Sequence, residues 1–384
     1  MSRLISAITV TLLFTACTTT SEEELTQPDF NQLPLFEIEN LFTVSEFDGN
    51  NFFASISQVT SGSDSTIFVS DFLSKKIYLF NHYGEYKGFL GGEGEGPGEF
   101  RQIGTVSLLA PDTLQVLDWR LARITLFSKS DGQWNPVKYF DHPESGVDDE
   151  SNLRFTFANL YPHKNGYLGQ FNSSFSSVDT ASQSYSFFKQ YDYKLNPIDN
   201  QKYRMHITSK PVIQRVPGRS VSVSPAPEGH RSLFSITDNS IKISTWTGAN
   251  RIIIRDITGD DSTSFQFPSK RIPITDREKR KLAEIRISDP DNSMISRTDM
   301  IEKIPDHKAF SNQLVTDDQD RIWILTNPFE EDDPEWLIYN KRGELLAAAK
   351  HPGGRFMQIK NNRAYISFTS ADHEPAFGVF EITE

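Results

Sequence analysis

TIFVSD (66–71), KIYLFN (76–81) and YKGFLG (86–91) follow one another as three short apolar runs separated by turn residues. Each alternates apolar and polar positions and draws on Val, Ile, Phe and Tyr, the two-residue period of a half-buried strand. The pair that opens this group recurs along the chain. Its first member returns as TLQVLD (113–118), GYLGQF (166–171), SIKIST (240–245), RIWILT (321–326) and RAYISF (363–368). Its partner returns as RITLFS (123–128), SFFKQYD (186–192), RIIIRD (251–256), WLIYNK (336–341) and FGVFEI (377–382). Turn residues such as Tyr83-Gly84, Asp131-Gly132 and Arg342-Gly343 punctuate several pairs.

A further strand follows most pairs, as in PVKYFD (136–141), TSFQFP (263–268) and ELLAAAK (344–350). Another precedes most of them: ASISQV (54–59), GTVSLL (104–109), TFANLY (156–161) and SNQLVT (311–316). The repeating unit therefore has four strands, innermost first. Radial repetition of such antiparallel units makes a propeller, and six of them predict an all-β, six-bladed β-propeller. The sixth unit stops after its third strand at Glu384, while LFEIENLFTV (35–44) is a strand with no unit of its own. The N-terminal strand is expected to complete the last blade, which removes two exposed sheet edges.

Bulk composition agrees. The chain has 384 residues, 37% hydrophobic and 12% aromatic with 29 Phe, enough apolar material for a large core. Its formal net charge of −12, with Lys and Arg scattered, leaves no electrostatic footprint for nucleic acid. One cysteine, Cys17, excludes a disulfide framework and a thiolate metal cluster.

The N-terminus reads MSRLISAITVTLLFTAC (1–17). Arg3 precedes an apolar stretch, Leu4 to Ala16, that is too short for a bilayer-spanning helix of about 20 residues and suits a signal peptide. Its end, Phe14-Thr15-Ala16-Cys17, resembles the bacterial lipobox, with Phe14 where Leu is usual. The resemblance implies that Cys17 is acylated and becomes the first residue of an exported lipoprotein. Two acyl chains anchor stably where one holds marginally. Residues 18–34 are polar and read as a flexible tether, and 35–384 as the propeller. The expected location is the cell envelope, at the outer membrane, with the membrane as partner through the lipid.

The loop Gly91-Gly92-Glu93-Gly94-Glu95-Gly96-Pro97-Gly98-Glu99-Phe100 resembles the G-x-x-G-x-G-P-G-[EQ]-F signature of NHL-repeat propellers, and the pattern as a whole resembles the six-bladed propeller lipoproteins of Bacteroidota. The other blades lack the glycines. A phosphate-cradling loop would end in Gly-Lys-Ser/Thr or lead into a helix. Here Glu99-Phe100-Arg101 and a strand follow.

Six blades of about 40–45 residues need roughly 260 residues, fewer than lie between 35 and 384. The surplus falls in 141–155, 172–184, 204–230 and 269–310. The last contains TDREKRKLAEIRI (275–287), a helix capped by Thr275 or Asp276 whose narrow apolar face, Leu282 and Ile285, is expected to lie on the propeller. In a four-stranded meander the second-to-third-strand loops and the inter-blade loops emerge on one face. That loop-rich face is the expected binding face.

Six residues there are ligand candidates. Asp71 and Asp118 occupy the same place at the end of a second strand, where an aspartate either meets a ligand or caps the adjoining turn. Trp119-Arg120 suits recognition of a sugar, peptide or anion. Arg101 and Arg154 approach their blades from the same face and suit an anionic ligand or pair with surface carboxylates. None of the eight histidines falls in an HxH or HExxH spacing, and TDDQDRIW (316–323) fits a hairpin turn better than a calcium loop. No cofactor, metal or catalytic residue is called for, and a monomer is expected. Two functions remain: a binding or scaffold module for a protein, peptide or glycan, and a metal-dependent lyase or hydrolase of the NHL-like type with its site at the central channel.

Overall fold

A computed structural model describes residues 27–49, 51–147, 154–163, 166–174, 184–198, 203–208, 212–215, 221–224, 226–236, 241–256, 262–286 and 297–384. Cys17 and the expected signal peptide, residues 1–17, lie outside them. The chain folds as a six-bladed β-propeller.

Blade 1 comprises Ile56–Ser61, Ile67–Asp71, Lys76–Phe80 and Tyr86–Gly91, and blade 2 Ile103–Ala110, Thr113–Asp118, Arg123–Ser130 and Gln133–Asp141. Blade 3 is Arg154–His163, Gly166–Ser174, Ser184–Tyr191 and Tyr203–Thr208, with the two-residue strand Gly146–Val147 added inside it. Blade 4 is Ser232–Ile236, Ile241–Trp246, Arg251–Asp256 and Ser262–Gln266. Blade 5 is Ser311–Thr316, Ile322–Thr326, Trp336–Tyr339 and Leu345–Ala349, and blade 6 opens with Arg355–Lys360, Arg363–Thr369 and Pro375–Thr383. Every strand of the repeat read from the sequence is present, with ends shifted by up to three residues.

The fourth strand of blade 6 is Leu35–Val44, antiparallel to Pro375–Thr383 in the register Ile38↔Ile382 and Val44↔Phe377. The expected closure is therefore observed. It goes one step further: Leu35 and Phe36 also lie parallel to Ala348 and Ala349, so blades 5 and 6 share one eight-stranded sheet.

The core sits between blades. Phe100, fully buried, packs with Phe68, Ile77, Leu90 and Phe127 at the blade 1–2 boundary. Burying a side chain of this size contributes about 1.5–3 kcal/mol. Trp323 and Trp336, also fully buried, meet Phe36, Phe356 and Ile366 between blades 5 and 6. Edge-on contacts of Phe234 with Tyr161 and Phe188 fill the blade 3–4 boundary.

Three elements depart from the sequence expectation. The helix α1, Asp276–Arg286, begins as expected at Thr275, where a reciprocal capping box forms: Thr275 N–H donates to Glu278 and Glu278 N–H to the Thr275 hydroxyl. Its buried face, however, is Leu282 and Ala283 against Met300 and Ile304, and Ile285 is 67% exposed. Met300 belongs to a second helix, α2 (Arg297–Lys303), which no periodicity announced. Finally, residues 27–34 are docked, which corrects the tether boundary. Asp29 caps a 3-10 turn, Phe30–Gln32, Phe30 packs on the blade 4–5 core, and Pro34 accepts from Ala348 N–H at 3.0 Å.

Candidate functional site

Two ends of the propeller are defined by strand direction. Ile56 pairs with Asp71, and Asp71 with Lys76, so the start of the innermost strand and the second-to-third-strand loop share one rim. Gly92 N–H donates to Lys75 carbonyl, which brings the inter-blade loop to the same rim. This is the loop-rich face. The first-to-second and third-to-fourth-strand turns lie at the opposite, short-turn face.

On the loop-rich face Asp71 and Asp118 do the same work. Asp71 accepts from the backbone N–H of Ala54 and Ser55, 17 and 16 residues back, and of Leu73 and Ser74, two and three ahead. Asp118 accepts from Arg101, Gln102, Arg120 and Leu121 at the same four offsets, with distances of 2.7–3.2 Å. Both carboxylates are fully buried. Each fastens the incoming inter-blade segment to the following turn, so both serve as backbone caps and offer no oxygen to a ligand.

Trp119 follows Asp118 and is 42% exposed. Its indole N–H donates to Ala158 carbonyl at 2.6 Å, and a Cβ on Gly104 would stand 3.0 Å from the ring. Trp119 thus lies across the innermost strands of blades 2 and 3. Arg101 pairs with Glu95 at 3.1 Å and more loosely with Glu93, which Lys75 also holds at 2.9 Å. The Lys75 ammonium keeps the Glu93 carboxyl below its usual range. Arg101, Arg120, Lys75, Glu93, Glu95 and Leu121 line a cleft of about 400 Å³ at the blade 1–2 rim. Arg154 begins the innermost strand of blade 3 and is exposed, but does not line that cleft. The structure therefore brings two of the six candidates into one cavity, and opposite charges already occupy it.

The glycine-rich loop explains its own composition. Gly91 sits at φ +90°, and a Cβ there would meet the Phe100 ring at 2.6 Å. Glu99 folds back under the loop and accepts from Gly96 N–H, and a Cβ on Gly94 would collide with that carboxylate. The carbonyls of Glu95, Gly96 and Glu99 turn onto the Arg123 guanidinium of blade 2 at 2.6–3.2 Å. An anion finds no cradle here, because the loop supplies its own carboxylate and directs carbonyls outward to a cation.

The cavity that all six blades build lies elsewhere. It measures about 490 Å³, within the range of small-ligand sites. Its wall takes Gln58 and Thr60 from blade 1, Ser107 and Leu108 from blade 2, Tyr161 from blade 3, Ile236 from blade 4, Thr316 from blade 5 and Gln358 from blade 6. All but Gln58 stand in the later half of an innermost strand, so the cavity is the channel's end at the short-turn face. The sequence placed the binding site over the loop-rich face. Among the described residues that face holds the charged cleft at the blade 1–2 rim, and the cavity lined by all six blades opens at the opposite end.

A ring of polar side chains holds the channel open. Five of the six innermost strands carry a register shift at the same level, between Ile56 and Gln58, Ile103 and Val106, Phe157 and Asn159, Ser311 and Gln313, and Phe356 and Gln358. In blades 1, 5 and 6 the residue after the bulge is a glutamine that reaches the next blade. Gln58 clamps Val106 through both its N–H and its carbonyl. Gln313 does the same for Gly354 carbonyl and Phe356 N–H, and Gln358 accepts from Ser61 N–H at 2.7 Å. Thr105 meets Asn159, and Ser235 meets Thr316. Sequence reading missed these residues. The signal was an amide followed by an aliphatic at one level of four strands: ISQV (56–59), FANL (157–160), SNQL (311–314) and FMQI (356–359).

Three aspartates, Asp317, Asp318 and Asp320, stand at the channel mouth in the turn between the first two strands of blade 5, as the sequence placed them. Asp317 is buried and accepts from Gln319 and Arg321 N–H, the Arg321 guanidinium and the Trp323 indole. Asp318 accepts from Asn361 N–H and Asp320 pairs with Lys341. Among the described residues no group of three or more His, Cys, Asp or Glu is placed to hold a metal ion.

Residues 48–215 match the family model DUF5128, described as a 6-bladed beta-propeller. No curated protein matches the chain. Among solved structures, one from Bacteroides fragilis described as an exported protein aligns with a TM-score of 0.49 at 10% identity, covering 91% of this chain and 96% of that one. A DUF4221-family member from Bacteroides vulgatus aligns with a TM-score of 0.49 at 9% identity over 92% and 100%. Virginiamycin B lyase from Staphylococcus aureus aligns with a TM-score of 0.43 at 8% identity over 91% and 100%. Likenesses this faint say nothing about chemistry.

Proposed function

We propose that the chain is a lipid-anchored propeller of the cell envelope that binds a polar ligand in the channel cavity at its short-turn face. One observation carries this: a cavity of about 490 Å³ draws its wall from every blade, and that wall mixes hydroxyl and amide groups with Leu108, Pro162 and Ile236. Such a lining suits a molecule with apolar faces and many hydrogen-bonding groups, a saccharide unit or a peptide end. Tyr161 contributes shape rather than chemistry, since Asn159 and Gln170 hold its hydroxyl.

Thermal-shift titration against saccharides and short peptides tests the site. A ligand is expected to stabilise the wild type saturably. Ser107→Trp, which fills the cavity, should abolish the shift, and Arg120→Ala in the loop-rich cleft should leave it intact. The opposite pattern would move the site to that cleft. A stoichiometric zinc or calcium ion in the purified protein would replace a binding module with a metal-dependent enzyme. Cys17→Ala tests the anchor: the protein should leave the membrane fraction, and unchanged fractionation refutes lipidation.

A further inference from the structure

We infer that the loop-rich face is turned toward the membrane and the channel cavity away from it. This rests on the lipid anchor proposed above, and on where the chain leaves the propeller. Traced back from Leu35, it passes beside Ala348 and Ala349, buries Phe30 against the blade 4–5 core and reaches Gln27. The Gln27 amide donates to Asp333 at 2.8 Å. Asp333 belongs to the loop between Ile322–Thr326 and Trp336–Tyr339, a second-to-third-strand loop of blade 5. That loop also holds the start of the helical insertion, through Lys270 N–H to Asn327 carbonyl and the Lys270 ammonium to Phe329 carbonyl. The exit point is therefore on the loop-rich face.

Length limits the alternatives. Cys17 precedes Gln27 by ten residues, which span at most about 35 Å when fully extended. The innermost strands run 6–10 residues wherever blades 1, 2, 3, 5 and 6 supply them, about 20–33 Å of depth. Presenting the short-turn face to the bilayer would use nearly the whole of that reach to pass down the side of the propeller. Resting on the loop-rich face uses almost none.

Charge on that face does not make the choice. α1 exposes Arg277, Arg280 and Lys281 beside Ile285, while the blade 5 loop exposes Glu330, Glu331 and Asp332. Basic residues gain about 1 kcal/mol each near an anionic surface, and the acidic loop opposes them. The exit of the chain sets the orientation, which should then be indifferent to the anionic lipid content.

Full-length acylated protein in vesicles bearing a headgroup quencher provides the test. A fluorophore is placed at Leu73→Cys or Glu331→Cys on the loop-rich face, or at Tyr83→Cys on the short-turn face. Leu73 and Tyr83 are 59% and 70% exposed. At least twofold stronger quenching at 73 and 331 than at 83, in neutral and anionic vesicles alike, is expected. Equal quenching at all three, or stronger quenching at 83, overturns the orientation while leaving the anchor standing. Wild-type protein that fails to float with vesicles overturns both.

Discussion

The two ends of the propeller are made from the same strands, yet they use polar groups differently. On the loop-rich rim the long connections bring many unpaired backbone N–H groups together, and buried carboxylates gather them: Asp71 and Asp118 take four each. At the short-turn end partly exposed residues such as Asn81, Asp192 and Asn340 cap their own turns two N–H groups at a time. The polar side chains of the innermost strands, Gln58, Gln358 and their counterparts, link one blade to the next and leave a lined space. The inter-blade connections on this scaffold are fastened by buried carboxylates, while at the other end amides of the innermost strands fasten blade to blade around a cavity. Asp317 is the exception, a short-turn carboxylate held by four donors.

That contrast can be broken at either end. The largest effect is expected from Asp118→Ala, which strands four N–H groups beneath the rim. Unsatisfied buried donors cost about 1–3 kcal/mol each, and partial relaxation leaves a loss on the order of 4 kcal/mol in urea unfolding. Asp71→Ala should match it, and Asp118→Asn should lose less. Gln358→Ala removes one clamp and orphans Ser61 N–H, which is buried. A loss of about 1–3 kcal/mol is expected by the same measurement. Asp318→Ala, in contrast, frees an exposed N–H of Asn361 that water can serve. It should cost less than about 1 kcal/mol. A larger loss there would erase the distinction between the ends.

The finest test is acidity. His351 is held below its ordinary pKa by burial, against the opposing pull of Glu335, and its Nδ1 accepts the Trp336 indole N–H at 3.0 Å. His230 is lowered for the same reason. A histidine whose folded pKa is depressed binds fewer protons in the native state, so stability rises with pH. Its contribution is complete above the unfolded value near 6.5 and fades as pH falls through it. Urea midpoints should therefore drop between pH 7.5 and 5, and His351→Gln should flatten that slope.

Strand order, blade count and the closing strand were legible in the sequence because period and vacancy are properties of sequence. TIFVSD and its counterparts alternate whatever their neighbours do, and Leu35–Val44 fills a place that the sixth unit visibly lacks. The capping choice for Asp71 and Asp118 was visible only as an alternative, since a carboxylate at a strand end looks the same whether it meets N–H groups or a ligand. The clamps were hidden for another reason. A bulge shifts side chains by one position, so a Gln that strict alternation sends one way reaches the next blade instead. Phe30 was a single aromatic in a polar stretch, and nothing in its surroundings marks what it packs on. The cavity depends on how six strands meet, which no single strand encodes.

Closure by Leu35–Val44 also sets a folding order. Ile38 and Ile382 must find each other across nearly the whole chain, and joining ends about 340 residues apart costs about 5 kcal/mol of loop entropy beyond the constant part. Before residues 375–383 are in place, the first strand has only two pairings on blade 5 to hold it. Blades 1 to 5 can assemble from neighbouring strands, while the ring itself closes last and in one step. The late event that completes the fold also fixes the segment that leads back toward Cys17.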